Sequence, residues 1–296
     1  MNESFLVVGS GGRLGRSLLD HLSASRAAIG LARADMDLTN PDTIRATLAS
    51  LEFDHVVLTA ALTAVDFCET HREEAFAINA EAAGVIAEIA AARGARMTYI
   101  STDMVFDGLK DGPYVETDVA IPANVYGESK LEGERRVLAA SGKNLVARVS
   151  WVYGPARPAF PEWIIGRACA EDDLTLPGDK IGCPTYTLDL IGWLDALWAT
   201  PAAGVFHLCN SEPCSWRDWG QACIDSARDQ GWPVRTAEIR PVPVDSVTAF
   251  VAKRALNTAM DTTLITRATG VTPRHWREAL REFVVQSPTF SSYKST

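Results

Sequence analysis

The chain has 296 residues and a net charge of −9, with 47% hydrophobic and 22% charged residues. This composition excludes a disordered or collagen-like polymer and allows one large α/β unit, or a cofactor domain with a smaller companion. The acidic balance argues against nucleic acid or an anionic membrane as the main partner, although backbone amides and one or two arginines suffice to bind a phosphorylated ligand.

The opening MNESFLVVGSGG enters a β-rich run at Phe5–Val8 without a basic segment or a long apolar core. No secretory leader is expected, and no apolar run approaches the ~18 residues of a membrane span, so cytoplasm is the expected location. Immediately after the run stands Gly9-x-x-Gly12-x-x-Gly15, with Gly11, Arg13 and Leu14 in the same loop and a helical pattern over Leu14–Leu22. Strand, glycine loop and helix start together suit a dinucleotide pyrophosphate. The glycines admit the phosphates to the backbone, and the helix offers free N–H groups with a positive dipole end.

The second β-rich run, Ala28–Leu31, ends in Ala32-Arg33, where an NAD enzyme would carry an acid for the ribose 2′-hydroxyl. A guanidinium there suits the 2′-phosphate of NADP, with Arg13 assisting. Arg33 is also compatible with a plain solvated loop charge, so NADP is favoured and NAD stays open. Asp37, followed by Leu38, is placed on the adenine side of the cofactor.

Further on, Asn40-Pro41 reads as an N-cap and first turn for a helix over Pro41–Leu51. A strand is expected at His55–Leu58, a long Ala-rich helix at Glu73–Ala92 with Gly94 at its C-cap, and a strand at Met97–Ile100 running into Ser101-Thr102. Next come a helix over Tyr126–Ala140 and a strand at Leu145–Val149. Strands alternating with helices predict a Rossmann-type, doubly wound parallel sheet over residues 1–150. Beyond it prolines become frequent, with helices expected at Leu188–Trp198, Trp216–Gln230 and Pro273–Val285 and one more strand at Val205–Leu208. The division is a dinucleotide-binding domain with returns near 183–210, and a smaller mixed substrate region over 151–182 and 211–290. The terminal SPTFSSYKST is expected to fray. The six cysteines form no C-x-x-C pair and the five histidines are scattered, so no metal site is expected.

Tyr126-x-x-x-Lys130 puts a phenol and an ammonium on one helix face. A phenol of pKa near 10 is a poor proton carrier at neutral pH, and a neighbouring ammonium favours its ionised form. By itself the pair is common. Its weight comes from Thr102 upstream, a hydroxyl at the carboxyl end of a strand, where parallel sheets bind ligands and where it can polarise a substrate carbonyl.

With these motifs in order, the chain resembles the extended short-chain dehydrogenases, and within them the dTDP-4-dehydrorhamnose reductase family. The likeness runs through DLTNP at Asp37–Pro41, TAALTAVDFCE at Thr59–Glu69 and STDMVFDG at Ser101–Gly108. It continues in PANVYGESKLEGE at Pro122–Glu134, RVSWVYG at Arg148–Gly154, GCPTYTLDL at Gly182–Leu190 and GVFHLCN at Gly204–Asn210.

The resemblance implies Thr102, Tyr126 and Lys130 as the catalytic set, Ala60, Ala61 and Thr63 along the cofactor, and Asn79 supporting the site. It sets Val65, Phe106 and Trp151 against a nucleotide sugar, with Met104, Lys180 and Arg254 as further substrate contacts. The implied reaction is NAD(P)H-dependent reduction of the 4-keto group of a nucleotide-linked deoxysugar, the proton coming from Tyr126. The implied partners are that nucleotide sugar and, at most, a second copy of the chain in a homodimer.

The chain departs from the family at Met104, usually Tyr, at Asp179-Lys180-Ile181-Gly182, often Asp-Gln-Tyr-Gly, at Arg254-Ala255, usually Arg-Pro, and at Leu62. Two other functions use the same motifs: an epimerase or dehydratase that retains its NAD, and a non-catalytic NADP-binding subunit like that of methionine adenosyltransferase. A dehydratase would carry an acidic pair after the threonine, where this chain has Asp103-Met104.

Overall fold

Alternating β-branched runs and amphipathic helices build the first half of the chain. In the computed structural model, which describes residues 3–286, these are β1 (Ser4–Val8), α1 (Arg13–Ser23), β2 (Ala27–Leu31), α2 (Pro41–Ala49), β3 (His55–Leu58), α3 (Val65–Thr70), α4 (Arg72–Phe76), α5 (Ala82–Ala92), β4 (Arg96–Thr102), α6 (Val125–Ala140) and β5 (Leu145–Val149). The second half contributes β6 (Val152–Tyr153), α7 (Phe160–Ala170), β7 (Leu174–Pro177), β8 (Ile181–Gly182), β9 (Thr185–Tyr186), α8 (Thr187–Trp198), β10 (Gly204–His207), β11 (Cys214–Ser215), α9 (Trp216–Asp229), β12 (Ile239–Val242), α10 (Thr263–Thr269) and α11 (Trp276–Gln286). The terminal segment expected to fray lies outside the described residues.

Six strands form one sheet in the order β2-β1-β3-β4-β5-β10, every pairing parallel. The chain winds from β1 to β2, then crosses back to β3 on the other side of β1. The winding reverses there, and the loops after β1 and β3 splay apart at the carboxyl edge, which is where such sheets bind ligands. Helices cover both faces, giving the doubly wound Rossmann architecture. Ile44 and Leu48 of α2, Ala83, Ile86 and Ala90 of α5, and Val137 of α6 pack on one face. Leu14, Leu18 and Leu22 of α1, Leu190 and Leu194 of α8, and Ile265 of α10 pack on the other.

A second core gathers the rest of the chain. Trp219 and Ile224 of α9, Ile164 of α7, Trp276 and Phe283 of α11, and Leu174 of β7 form it. Three two-stranded pairings, β11-β8, β12-β7 and β6-β9, edge this region. They are too short to show a periodicity in sequence, and α7, α3 and α10 were likewise not foreseen.

Local signals explain two helix boundaries. The Asn40 side chain accepts from the amides of Asp42 and Thr43, with Pro41 in the first turn. Gly94 follows α5 at φ +74°, a conformation that favours glycine. The run expected as one helix over Glu73–Ala92 is one helical run over Arg72–Ala92, made of α4, a π-helical turn at Ala77–Glu81, and α5. The turn contains Asn79, a buried polar residue. The freed Asn79 carbonyl accepts the Tyr99 hydroxyl at 2.6 Å.

The deepest electrostatic tie joins α6 to the sheet. Arg148 on β5 grips Glu134 on α6 through both carboxylate oxygens, at 2.9 and 2.7 Å, and Ser101 donates to the same carboxylate at 2.5 Å. The two charged side chains are 5% and 3% exposed. Arg148→Met is expected to lower the unfolding free energy by about 3 kcal/mol, because it strands a buried carboxylate. Urea denaturation would measure this. Removing both charges in Glu134→Gln/Arg148→Met should recover part of the loss.

Candidate active site

The loop after β1 takes its shape from close approach. Gly9 has φ +97°, and a side chain on it would strike Ala60 N, 2.5 Å from the added carbon. The helix α1 that follows has Gly12 at its N-cap, no side-chain cap and no acidic residue in its first turn. Its N–H groups and dipole end thus remain for an anionic ligand. The loop after β3 lies beside it and carries Ala60 and Ala61, half-buried, and Thr63, exposed.

The end of β4 carries Thr102, whose Oγ1 accepts from Met104 N at 3.2 Å and so caps a 3-10 turn over Asp103–Val105. That turn lies on the first turn of α6. A β-carbon added to Gly127 would sit 2.1 Å from the Met104 carbonyl oxygen, so only glycine after Tyr126 allows the two segments to touch. The Asn124 side chain caps α6 by accepting from Gly127 N at 2.9 Å.

This packing brings Tyr126 and Lys130 to the sheet edge. Tyr126 is 8% and Lys130 1% exposed. Lys130 Nζ donates to the Ile100 carbonyl at 2.7 Å and stands 3.9 Å from the centroid of the Tyr99 ring. Burial pushes its pKa from 10.5 down to about 7, while Glu134, one turn further along α6, opposes the fall. Burial raises the Tyr126 phenol well above its ordinary value. The adjacent Thr102 hydroxyl pulls it back, and Asp103 and Cys68 add to the rise.

The expectation that Lys130 lowers the tyrosine pKa is therefore corrected for the ligand-free protein. The ammonium is engaged by Ile100 and Tyr99, and desolvation dominates the phenol. What results is a tyrosine that keeps its proton, the form required of an acid. Asn79 reaches the site as a clamp: its side chain accepts from Leu62 N at 2.8 Å, donates to Leu62 O at 3.1 Å, and donates to Ser129 Oγ at 3.0 Å. It thereby ties the loop after β3 to α6.

The other residues singled out in sequence divide into those at the site and those behind it. Val65, Met104 and Leu62 pack partly exposed around Tyr126 and Val125. Trp151 is half-buried, with φ +43°, a strained conformation for a non-glycine residue. Stacking on Trp219 at 5.3 Å holds it there. Arg33 is exposed, and Asp37 is committed to Thr39, accepting from its amide at 2.9 Å and its hydroxyl at 2.8 Å. Leu38 is half-buried against the sheet core, Leu14 is fully packed in the core of α1, and Gly11 is exposed.

Four placements differ from expectation. Arg13 donates to the carbonyls of Val152, Arg157 and Pro158 instead of waiting for a phosphate. Phe106 is 0% exposed, stacked on Tyr114 at 4.0 Å, and belongs to a core. Lys180 is also 0% exposed, with Nζ 2.8 Å from Thr258 Oγ1. Arg254 pairs with Asp66 at 2.7 Å and covers the Phe250 ring. For Arg13, Lys180 and Arg254 an acceptor remote in sequence takes the donor first, and for Phe106 a ring eight residues on takes its face.

Sequence reasoning passed over Asp103, Ser150, Thr258, Glu134 and Asp35. Asp35 accepts from Ala32 N at 2.8 Å and so sets an acid beside the end of β2. For Glu134 there was a signal, its position one turn after Lys130. Asp103 directly follows Thr102 and Asp35 lies three residues from Ala32, whereas Ser150 and Thr258 become neighbours only through the fold. Among the described residues no group of three or more His, Cys, Asp or Glu side chains is arranged to hold a metal ion.

Comparison with known proteins adds the lineage. Residues 3–288 match the model of a family described as the RmlD substrate binding domain. The chain is 34% identical to a dTDP-4-dehydrorhamnose reductase of Aggregatibacter actinomycetemcomitans, over 93% of this chain and 96% of the relative. It is 35% identical to the spore coat polysaccharide biosynthesis protein SpsK of Bacillus subtilis, over 94% and 96%. Its structure superposes with a TM-score of 0.90 on the crystal structure of dTDP-4-dehydrorhamnose reductase from Bacillus anthracis in complex with NADP, at 28% identity, covering 97% of this chain and all of that one.

The depressed Lys130 pKa has a consequence for stability. Between about 7 and 10.5 the unfolded chain binds the lysine proton and the folded one does not. Stability from this group therefore rises with pH across that window and is flat below it. Measured by urea denaturation, the native protein should gain stability relative to Lys130→Met as pH rises above about 7. A constant difference across the window would mean that Lys130 keeps an ordinary pKa.

Proposed function

Because the chain belongs to the RmlD substrate binding domain family, we propose that it is an NADPH-dependent reductase acting on the 4-keto group of a dTDP-linked 6-deoxyhexose, dTDP-4-dehydrorhamnose. The observation that carries this reading is the meeting of Tyr126, Thr102 and Lys130 at the carboxyl edge of the sheet, two strands from the glycine loop. The protein acts in the cytoplasm. Among the described residues one helical run, Arg72–Ala92, is long and apolar enough to cross a membrane, and half of it is buried inside the protein.

The residues present fit the coenzyme. Gly9, Gly12 and Gly15 with the uncapped end of α1 would hold the pyrophosphate, and exposed Arg33 the 2′-phosphate. Ala60, Ala61 and Thr63 would line its path, and Lys130 would bond the ribose hydroxyls. Once bound, NADPH supplies the hydride that converts the C4 ketone to an alcohol.

The chain's own residues handle the proton. Tyr126, kept protonated by burial, donates its hydroxyl proton to the ketone oxygen. Thr102 donates a hydrogen bond to the same oxygen and draws charge onto it before the proton moves. The phenolate left on Tyr126 is countered by the Lys130 ammonium, and solvent restores the proton for the next cycle. Val65, Met104 and Trp151 form the walls around the sugar. Phe106, Lys180 and Arg254 act from behind those walls. Asp103, the acid a dehydratase would need free beside the threonine, is 3% exposed and held by three hydroxyl groups. That favours reduction over dehydration.

The direct test follows loss of NADPH absorbance with enzymatically generated dTDP-4-keto-6-deoxy-L-hexose. Rapid consumption is expected. No turnover, with NADPH binding separately established, would remove this substrate. Tyr126→Phe should keep coenzyme affinity and lose about 10²-fold or more in turnover, since a positioned acid is removed. Native-like turnover would take Tyr126 out of the reaction. Arg33→Ala should weaken NADPH far more than NADH in fluorescence titration. Equal losses would show that Arg33 does not read the 2′-phosphate.

A further inference from the structure

Behind Thr102 lies a buried polar network whose members come from four separate parts of the chain. Asp103 sits at its centre. Thr102 Oγ1 donates to Asp103 Oδ1 at 3.1 Å. Ser150 Oγ, just past β5, donates to Oδ2 at 2.8 Å, and Thr258 Oγ1 donates to the same oxygen at 2.5 Å. Lys180, between β7 and β8, donates from Nζ to Thr258 Oγ1 at 2.8 Å. The ammonium also lies 3.5 Å from the Ile181 carbonyl and 6.0 Å from the Trp151 ring centroid. Asp103, Ser150, Lys180 and Thr258 are all 3% exposed or less. Among the described residues no lysine or arginine forms an ion pair with Asp103 directly, so the charge of Lys180 reaches it through one hydroxyl.

We propose that Thr258 and Lys180 are positioning residues for the reduction, holding the Thr102 hydroxyl ready for the substrate by saturating Asp103. This rests on the reading of Thr102 as the group that polarises the ketone. In the ligand-free protein the Thr102 proton points to Asp103, while its oxygen accepts from Met104 N. To serve the substrate, that proton must turn away from the carboxylate.

A buried carboxylate with few donors holds each of them tightly, because a charge-assisted bond in a low dielectric is strong. Two further donors on Oδ2, one of them fed by an ammonium, satisfy Asp103 and loosen its hold on Thr102. Ser150 and Thr258 also pin the carboxylate, so Thr102 swings about a fixed point. Lys180 and Thr258 belong to the region that encloses the substrate. The packing of that region on the sheet therefore completes the network behind Thr102.

Thr258→Val removes the hydroxyl at nearly constant volume, and Thr258→Ser keeps it. The valine variant should lose about tenfold or more in kcat, the scale of a lost preorganising hydrogen bond. KM and the NADPH dissociation constant should stay near native. The serine variant should restore kcat to near the native value. A valine variant with native kcat, or one whose loss the serine fails to restore, would overturn the proposal. A loss falling on KM alone would overturn it too. Thr258→Ala, judged by the same split of kcat from KM, serves if the valine variant does not fold. Tyr126→Phe is measured alongside. If it turns over like the native enzyme, the reading of the whole site fails. If it is slow while Thr258→Val is native-like, only the role of Thr258 and Lys180 fails.

Discussion

The site depends on one contact, the seating of the first turn of α6 on the end of β4. Gly127 permits it, since any side chain there would overlap the Met104 carbonyl. Once seated, Tyr126 stands next to Thr102, and Lys130 reaches the Ile100 carbonyl below. The Glu134–Arg148 pair, with Ser101, then locks the third turn of α6 to β4 and β5. A buried ion pair of this kind contributes little net stability but strongly disfavours any other register, because a shifted helix would leave a carboxylate and a guanidinium unpaired in the core.

The proton chemistry follows from desolvation more than from charge pairing. In water a phenol and an ammonium have similar pKa values. Burial moves them in opposite directions here, the tyrosine up and the lysine down to about 7. The free protein therefore holds a phenol that will not ionise early and an amine close to its point of protonation. Such a pair suits a reaction in which negative charge appears on the tyrosine only as the ketone takes its proton. The cation–π contact with Tyr99 and the charge of Glu134 keep the ammonium from being lost altogether.

The C-terminal region is tied to the sheet at polar points spread across the chain. Arg254 pairs with Asp66 on α3, Thr258 reaches Asp103, and Asn124 at the start of α6 donates to the Lys253 carbonyl at 2.9 Å. All three run between the segment 253–258 and elements around the site. A basic residue there looked like a ligand contact in sequence. In the fold it braces the wall that a ligand would meet.

The sequence by itself determined the doubly wound sheet, the glycine loop and the shared helix face of Tyr126 and Lys130. Each of these is a local matter: β-branched runs, helical spacing, glycines at a turn, and two side chains one helical turn apart. It also determined the helix starting at Asn40-Pro41, because a cap is satisfied within its own turn. Tertiary structure alone decided the uses of Arg13, Lys180 and Arg254, whose partners Val152, Thr258 and Asp66 lie 139, 78 and 188 residues away. The π-helical turn at Asn79 within the long helix was decided the same way, by the Tyr99 hydroxyl and the Leu62 backbone. A charged or amide side chain announces only that it needs partners. Which partners it finds, and so whether it faces a ligand or the core, depends on what the fold brings within about 3 Å of it.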